Sequence, residues 1–112
     1  MSQYRFSLRA SKSLDAIMEW TVDRFGESKA EDYEDALLKR CQALAAGEPP
    51  HGRPCSVLAG GETNTDHLLY VRVASHYLIF RQENDGIVVL DVVHKRRDIA
   101  EMIKRIAKKN SQ

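Results

Sequence analysis

Cysteine is scarce. Only Cys41 and Cys55 occur in 112 residues and they form no CxxC, which excludes a framework of disulfides and leaves two thiols expected to be reduced. No run of about 18 apolar residues could span a membrane. The opening "MSQYRFSLRASK" has no basic region followed by an apolar stretch, so nothing resembles a secretory signal and a cytoplasmic protein is expected. Internal repeats, low-complexity tracts and domain boundaries are also missing. The four histidines, His51, His67, His76 and His94, have no metal-ligand spacing, and no metal site is expected.

What remains is ordinary globular composition, 43% hydrophobic and 29% charged, in a length suited to one domain over residues 1–112. Neither sign of charge dominates at a net +1, but the distribution is uneven. From 94 to 109 the cations Lys95, Arg96, Arg97, Lys104, Arg105, Lys108 and Lys109 face only Asp98 and Glu101, which makes a basic C-terminal segment.

"YRFSL" alternates Tyr4, Phe6 and Leu8 with polar residues and predicts a short first strand. From Ser11 or Ser13, the residues Leu14, Ile17, Met18, Val22 and Phe25 fall at helical spacing, and Gly26 supplies a stop. "SKAE" from Ser28 reads as a capping box for a second helix, which buries Ala30, Tyr33, Leu37, Cys41 and Leu44 and ends at Gly47. "GEPPHGRPC" is a loop. "CSVLA", "HLLYVRV", "HYLIFR" and "GIVVLDVV" read as strands, with a hairpin turn at "NDG" and a flexible excursion at "AGGETNTD". The last strand is apolar on both faces except at Asp91, which predicts an interior position covered on each side. Ile99, Met102, Ile103 and Ile106 then resume helical spacing. The expected fold is α+β: an N-terminal strand, a helical hairpin packed on a three- to four-stranded antiparallel sheet, and a C-terminal helix.

Five stretches carry a family resemblance: "YRFSLRASKSLDAIMEW", "FGESKAEDYEDALLKRCQALA", "HGRP", "RVASHYLIFR" and "VLDVVHKRRD". In that order and spacing the chain resembles the RelE/ParE superfamily of bacterial type II toxins, and more closely its ParE branch, over about residues 3 to 103. The resemblance implies a toxin that acts on DNA gyrase, holding it on cleaved DNA without chemistry or cofactor of its own. It also implies a cognate ParD-like antitoxin in a hetero-oligomer, whose disordered C-terminal segment folds along the toxin, and contact with nucleic acid only through antitoxin or target. Two rivals are a RelE-like, ribosome-dependent mRNA endoribonuclease and a non-toxic relative that only binds its antitoxin.

The residues themselves leave these open. A metal-independent ribonuclease needs a base for the ribose 2′-OH, an acid for the leaving oxygen, and cations for the transition state. His94 is the candidate acid or base, with Arg81 and Arg96, and further Arg53, Arg72 and Arg97, as cations. The tyrosine that RelE-like nucleases carry near the C-terminus is missing, since the tyrosines lie at 4, 33, 70 and 77. His94 could equally cap a strand and order the next turn. Arg72 and Arg81 could bind a partner, lie on an open sheet face, or pair with Asp91. Arg53 is either an exposed turn cation or a contact, and Trp20 either a rim residue or a partner anchor. Partner-binding candidates are therefore Trp20, Arg53, Arg72, Arg81, His94, Arg96 and Arg97.

Overall fold

A computed structural model describes residues 3–60, 65 and 67–110. The chain runs β1 (Gln3–Phe6), α1 (Leu8–Phe25), α2 (Glu27–Ala45), β2 (Arg53–Pro54), a 3₁₀ turn (Cys55–Val57), β3 (Leu69–Val73), β4 (His76–Glu83), β5 (Gly86–His94) and α3 (Ile99–Asn110). The expected α+β architecture holds, but the sheet has five strands, ordered β1-β5-β4-β3-β2. Short loops make β3, β4 and β5 antiparallel neighbours, whereas β1 adds in parallel to β5 from the far end of the sequence. "CSVLA" does not form a strand. After the two-residue β2 the chain tightens into the 3₁₀ turn, with Leu58 and Ala59 both donating to the Cys55 carbonyl, and this buries Cys55 and Ala59 on the α3 side. The excursion expected at 59–66 lies for the most part outside the described residues.

Strand β5 is the axis of the fold. All seven residues from Ile87 to Val93 are buried, as its two apolar faces require. On one face Ile87, Val89 and Val92 pack with Leu78, Phe80, Leu37 and Cys41 under the helical hairpin. On the other, Val88, Leu90 and Val93 pack with Ile79, Ile103 and Ile106 under α3. Strict alternation would never put Val89 and Val92 on one face. A β-bulge does so: Ile79 opposes Asp91 and Phe80 opposes Val89, which leaves Leu90 as the extra residue.

Two serines of the first helix lock onto that bulge. Ser7 caps α1, accepting the Ala10 N–H at 3.1 Å, while its hydroxyl donates to the Leu90 carbonyl at 3.0 Å. Ser13 donates to the Asp91 carboxylate at 2.6 Å, and that carboxylate also accepts the Val92 N–H at 2.8 Å. Asp91, only 2% exposed, thus takes its bonds from α1 and its own backbone. Arg72 instead donates to the Ala74 carbonyl and Arg81 lies beside Glu83.

The helix boundaries differ from expectation for local reasons. With Ser7 as cap, α1 begins at Leu8 rather than after Ser11 or Ser13. Gly26 ends α1, donating to the Val22 carbonyl, and its own carbonyl accepts the Ala30 N–H, so α2 has already begun before Ser28 can cap it. The buried face of α1 runs through Ala10, Leu14, Ile17 and Thr21; Val22 and Phe25, expected in the core, are exposed. The α2 stripe lies inside as expected. Both cysteines are free and buried, and burial pushes each thiol up to about 12, so neither is a reactive thiolate at neutral pH.

Gly86 closes the β4–β5 hairpin at φ +155° and pairs with Gln3 of β1. A Cβ there would stand 1.6 Å from the Gln3 carbonyl oxygen, so glycine is required by the approach of β1 as well as by the turn. Gly86→Ala is therefore expected to cost about 3 kcal/mol or more in urea unfolding, well beyond an ordinary surface glycine. A loss below about 1 kcal/mol would contradict this docking.

Candidate functional site

Where β4 starts and β5 ends, His76 and His94 lie directly opposite each other, with ring centroids 5.0 Å apart and planes at 86°. Both point to the hairpin side, where Tyr33 of α2 comes within 2.5 Å of His76 Nδ1 and donates to the Val73 carbonyl at 3.1 Å. A hydroxyl has one proton. With that proton on Val73, His76 must donate from Nδ1 to the Tyr33 oxygen, which leaves Nε2 as the bare nitrogen of the neutral ring. His94 is engaged differently: its Nδ1 accepts the Arg96 N–H at 3.0 Å and its carbonyl accepts the Arg97 N–H, so it shapes the turn that follows. No carboxylate bonds either imidazole among the described residues.

These three side chains form the floor of a cavity of about 560 Å³, walled by Ile17, Trp20, Thr21, Phe25 and Lys29. Trp20 and Phe25 are 52% and 62% exposed and meet edge to face at 6.0 Å, with the Arg24 guanidinium over the indole at 5.0 Å. Trp20 is therefore the mouth of an apolar opening. The neighbouring β3–β4 turn holds Ala74 at φ 51°, a left-handed conformation unusual for a side chain other than glycine.

A second depression, about 350 Å³, lies at the β2–β3 edge of the sheet, beside Arg40 of α2. It is lined by Arg40, Pro50, His51, Arg53, Tyr70, Val71, Arg72 and Tyr77, with Arg53 paired to Tyr70 and Arg72 to Tyr77 across the strands. Arg81 stands apart, at the other end of β4, where it and Arg5 share Glu83. Arg96 and Arg97 are exposed in the turn after β5, with Arg97 3.8 Å from the Met102 sulfur. The sheet thus brings Arg53 and Arg72 together and His94 beside the Trp20 cavity, and it leaves Arg81 out of both.

Sequence reasoning passed over His76, Tyr33, Tyr70 and Tyr77. The signal available was the hairpin register. Once "AS" at 74–75 is recognised as a two-residue turn, His76 must oppose Val73 and Tyr77 must lie beside Arg72, whereas His76 meets His94 only through the β4–β5 hairpin and its bulge.

Burial foremost, and then the nearby His94, lower His76 from 6.5 to about 4. The unfolded chain takes up that proton below about pH 6.5 and the folded chain only near 4, so stability falls as pH drops through this window. Between pH 7 and 4.5 the wild type should lose roughly 1 to 3 kcal/mol more than His76→Asn in urea titrations. Parallel pH profiles for the two proteins would contradict a neutral buried His76.

The family model described as "ParE toxin of type II toxin-antitoxin system, parDE" matches residues 4–99. Toxin ParE1 of Mycobacterium tuberculosis, in strains CDC 1551 / Oshkosh and ATCC 25618 / H37Rv, is 31% identical over 99 residues, covering 88% of this chain and 94% of the relative. A solved structure of the chromosomal ParDE TA system from P. aeruginosa superposes with a TM-score of 0.65 at 18% identity, over 84% of this chain and 96% of that one, which shows the shared fold. The match from the first strand to the start of the last helix, and the relative alike over nearly its whole length, make this chain a member of the ParE toxin family of type II toxin–antitoxin systems.

Proposed function

We propose that this toxin acts by capturing DNA gyrase and not by cleaving RNA, and that a ParD-like antitoxin neutralises it in a hetero-oligomer. The observation that carries the first half is the use made of His94. Its Nδ1 holds the Arg96 backbone and builds the turn that presents Arg96 and Arg97, while no carboxylate among the described residues bonds to it as a general base would require. Such a turn offers charge and shape to a partner.

The Trp20 cavity supports the antitoxin half. An apolar opening flanked by Trp20 and Phe25, with Arg24 and Lys29 at its rim, suits the hydrophobic anchors of an amphipathic segment that carries acidic residues alongside. A disordered segment can wrap a large surface, so the complex should bury more than a standard interface of about 1,600 Å². Trp20→Ala should weaken antitoxin binding by about 2 kcal/mol, some thirtyfold, in calorimetry, with the melting temperature nearly unchanged because the indole is half exposed. Unaltered affinity would move the antitoxin to another surface.

Toxicity separates the target readings. Arg96→Ala with Arg97→Ala should cut growth inhibition and gyrase inhibition at least tenfold. His94→Gln should remain toxic, because glutamine keeps size and an acceptor for the Arg96 N–H but cannot shuttle a proton near pH 7. A ribonuclease reverses this order, since loss of acid or base help costs about 10²- to 10⁴-fold in rate. A folded, antitoxin-binding His94→Gln that is harmless, with wild-type protein cutting mRNA on ribosomes, would establish the nuclease instead.

A further inference from the structure

We propose that the depression between β2, β3 and β4 is a direct binding site for single-stranded nucleic acid, with Arg53 and Arg72 on successive phosphates and the Tyr70–Tyr77 pair receiving a base. The inference does not depend on gyrase being the target.

The lining is chemically one-sided. Arg40, His51, Arg53 and Arg72 contribute polar or cationic groups, Tyr70 and Tyr77 contribute rings, and no carboxylate among the described residues lines the site. Arg40 is already spent on the Pro50 carbonyl, which fixes the loop that carries His51. Arg72 uses Nε on the Ala74 carbonyl at 2.8 Å, which holds its stem and leaves the two Nη groups as a fork. Arg53 is exposed and makes no ion pair among the described residues. Guanidinium forks of this kind match phosphate oxygens two at a time.

Spacing follows from the register. Arg53 opposes Tyr70, and Arg72 stands two residues along the same strand from Tyr70, so the two arginines are diagonal neighbours on one face, about 7–8 Å apart. Neighbouring phosphodiesters of an extended single strand can span that separation. Between them the tyrosines meet edge to face, with centroids 5.7 Å apart and planes at 76°. Both tyrosines line the depression and are half-buried, so part of each side chain remains exposed to receive a base. Cations that track a backbone, interleaved with aromatic platforms, are the physical recipe for single-strand binding. A carboxylate peptide would satisfy the forks but leave the rings without a planar partner, and a rigid duplex keeps its bases stacked away from them.

The test is fluorescence anisotropy of the purified full chain with labelled dT12 and rU12, in 50 to 200 mM salt. Binding should weaken with salt with a slope of about 1.4 in log Kd against log salt from these two phosphates. Arg53→Ala with Arg72→Ala should remove most of that slope and at least tenfold of the affinity, and Arg72→Lys should restore part of the affinity. Tyr70→Leu with Tyr77→Leu should weaken binding about tenfold while leaving the slope intact; circular dichroism confirms that each variant is folded. Arg105→Ala with Lys109→Ala, on α3, should change affinity less than twofold. The proposal is overturned by no binding at 50 mM salt, by an equal loss in the α3 variant, by tighter binding of the matching duplex, or by a polyglutamate peptide that binds as well as dT12 with the same response to Arg53 and Arg72.

Discussion

One extra residue in β5 governs the molecule. Leu90 breaks the two-residue rhythm of the central strand, and every layer on either side is arranged around that break. It lets Val89 and Val92 both face the hairpin, and the displaced backbone leaves a carbonyl and a carboxylate that need partners in a dry place. Ser7 and Ser13 supply them, one turn and a half apart on the helix that the first of them caps. The polar price of the bulge is met by the element it positions. Helix α1 is consequently set at a fixed height over the sheet, and its far end places Trp20 and Thr21 over the two imidazoles.

How much of this the sequence carried depends on whether a feature is local. The element order, the α2 stripe and the doubly buried β5 were legible because periodicity and composition decide them within a dozen residues. The start of α1 was not, because Ser7 caps a helix whose first residue, Leu8, is 72% exposed and so falls outside any apolar stripe. The capping box at Ser28 was a sound local signal that lost to Gly26, which serves two helices at once. Phe25 read as core because the amphipathic pattern of α1 is shared between the sheet and an opening that faces outward.

The candidate residues tell a similar story. Histidine and arginine at the end of β5 were conspicuous as a run, yet a run becomes a site only through what stands across the strands. Register gave His94 a histidine for a neighbour, gave Arg53 and Arg72 two tyrosines, and put Arg81 at the other end of β4 beside Glu83. The relation of Tyr77 to Arg72 depends on the turn at Ala74 and Ser75, which lacks the glycine or asparagine that marks most tight hairpins, and that of His76 to His94 depends on a bulge that shifts the β4–β5 register by one residue.

The parallel pairing of β1 with β5 bears on when the toxin comes into being during synthesis. Gln3 to Phe6 pair with Gly86 to Val89, so β1 must wait for β5 before it finds its place in the sheet. Contacts so far apart in the chain form slowly and close a long loop. Until β5 leaves the ribosome, α1 has neither Leu90 nor Asp91 to hold, and the cavity lacks His94 as its floor. Folding of this topology completes only once β5 is available, and a partner already present in the cell would meet the toxin at the moment its surfaces first exist.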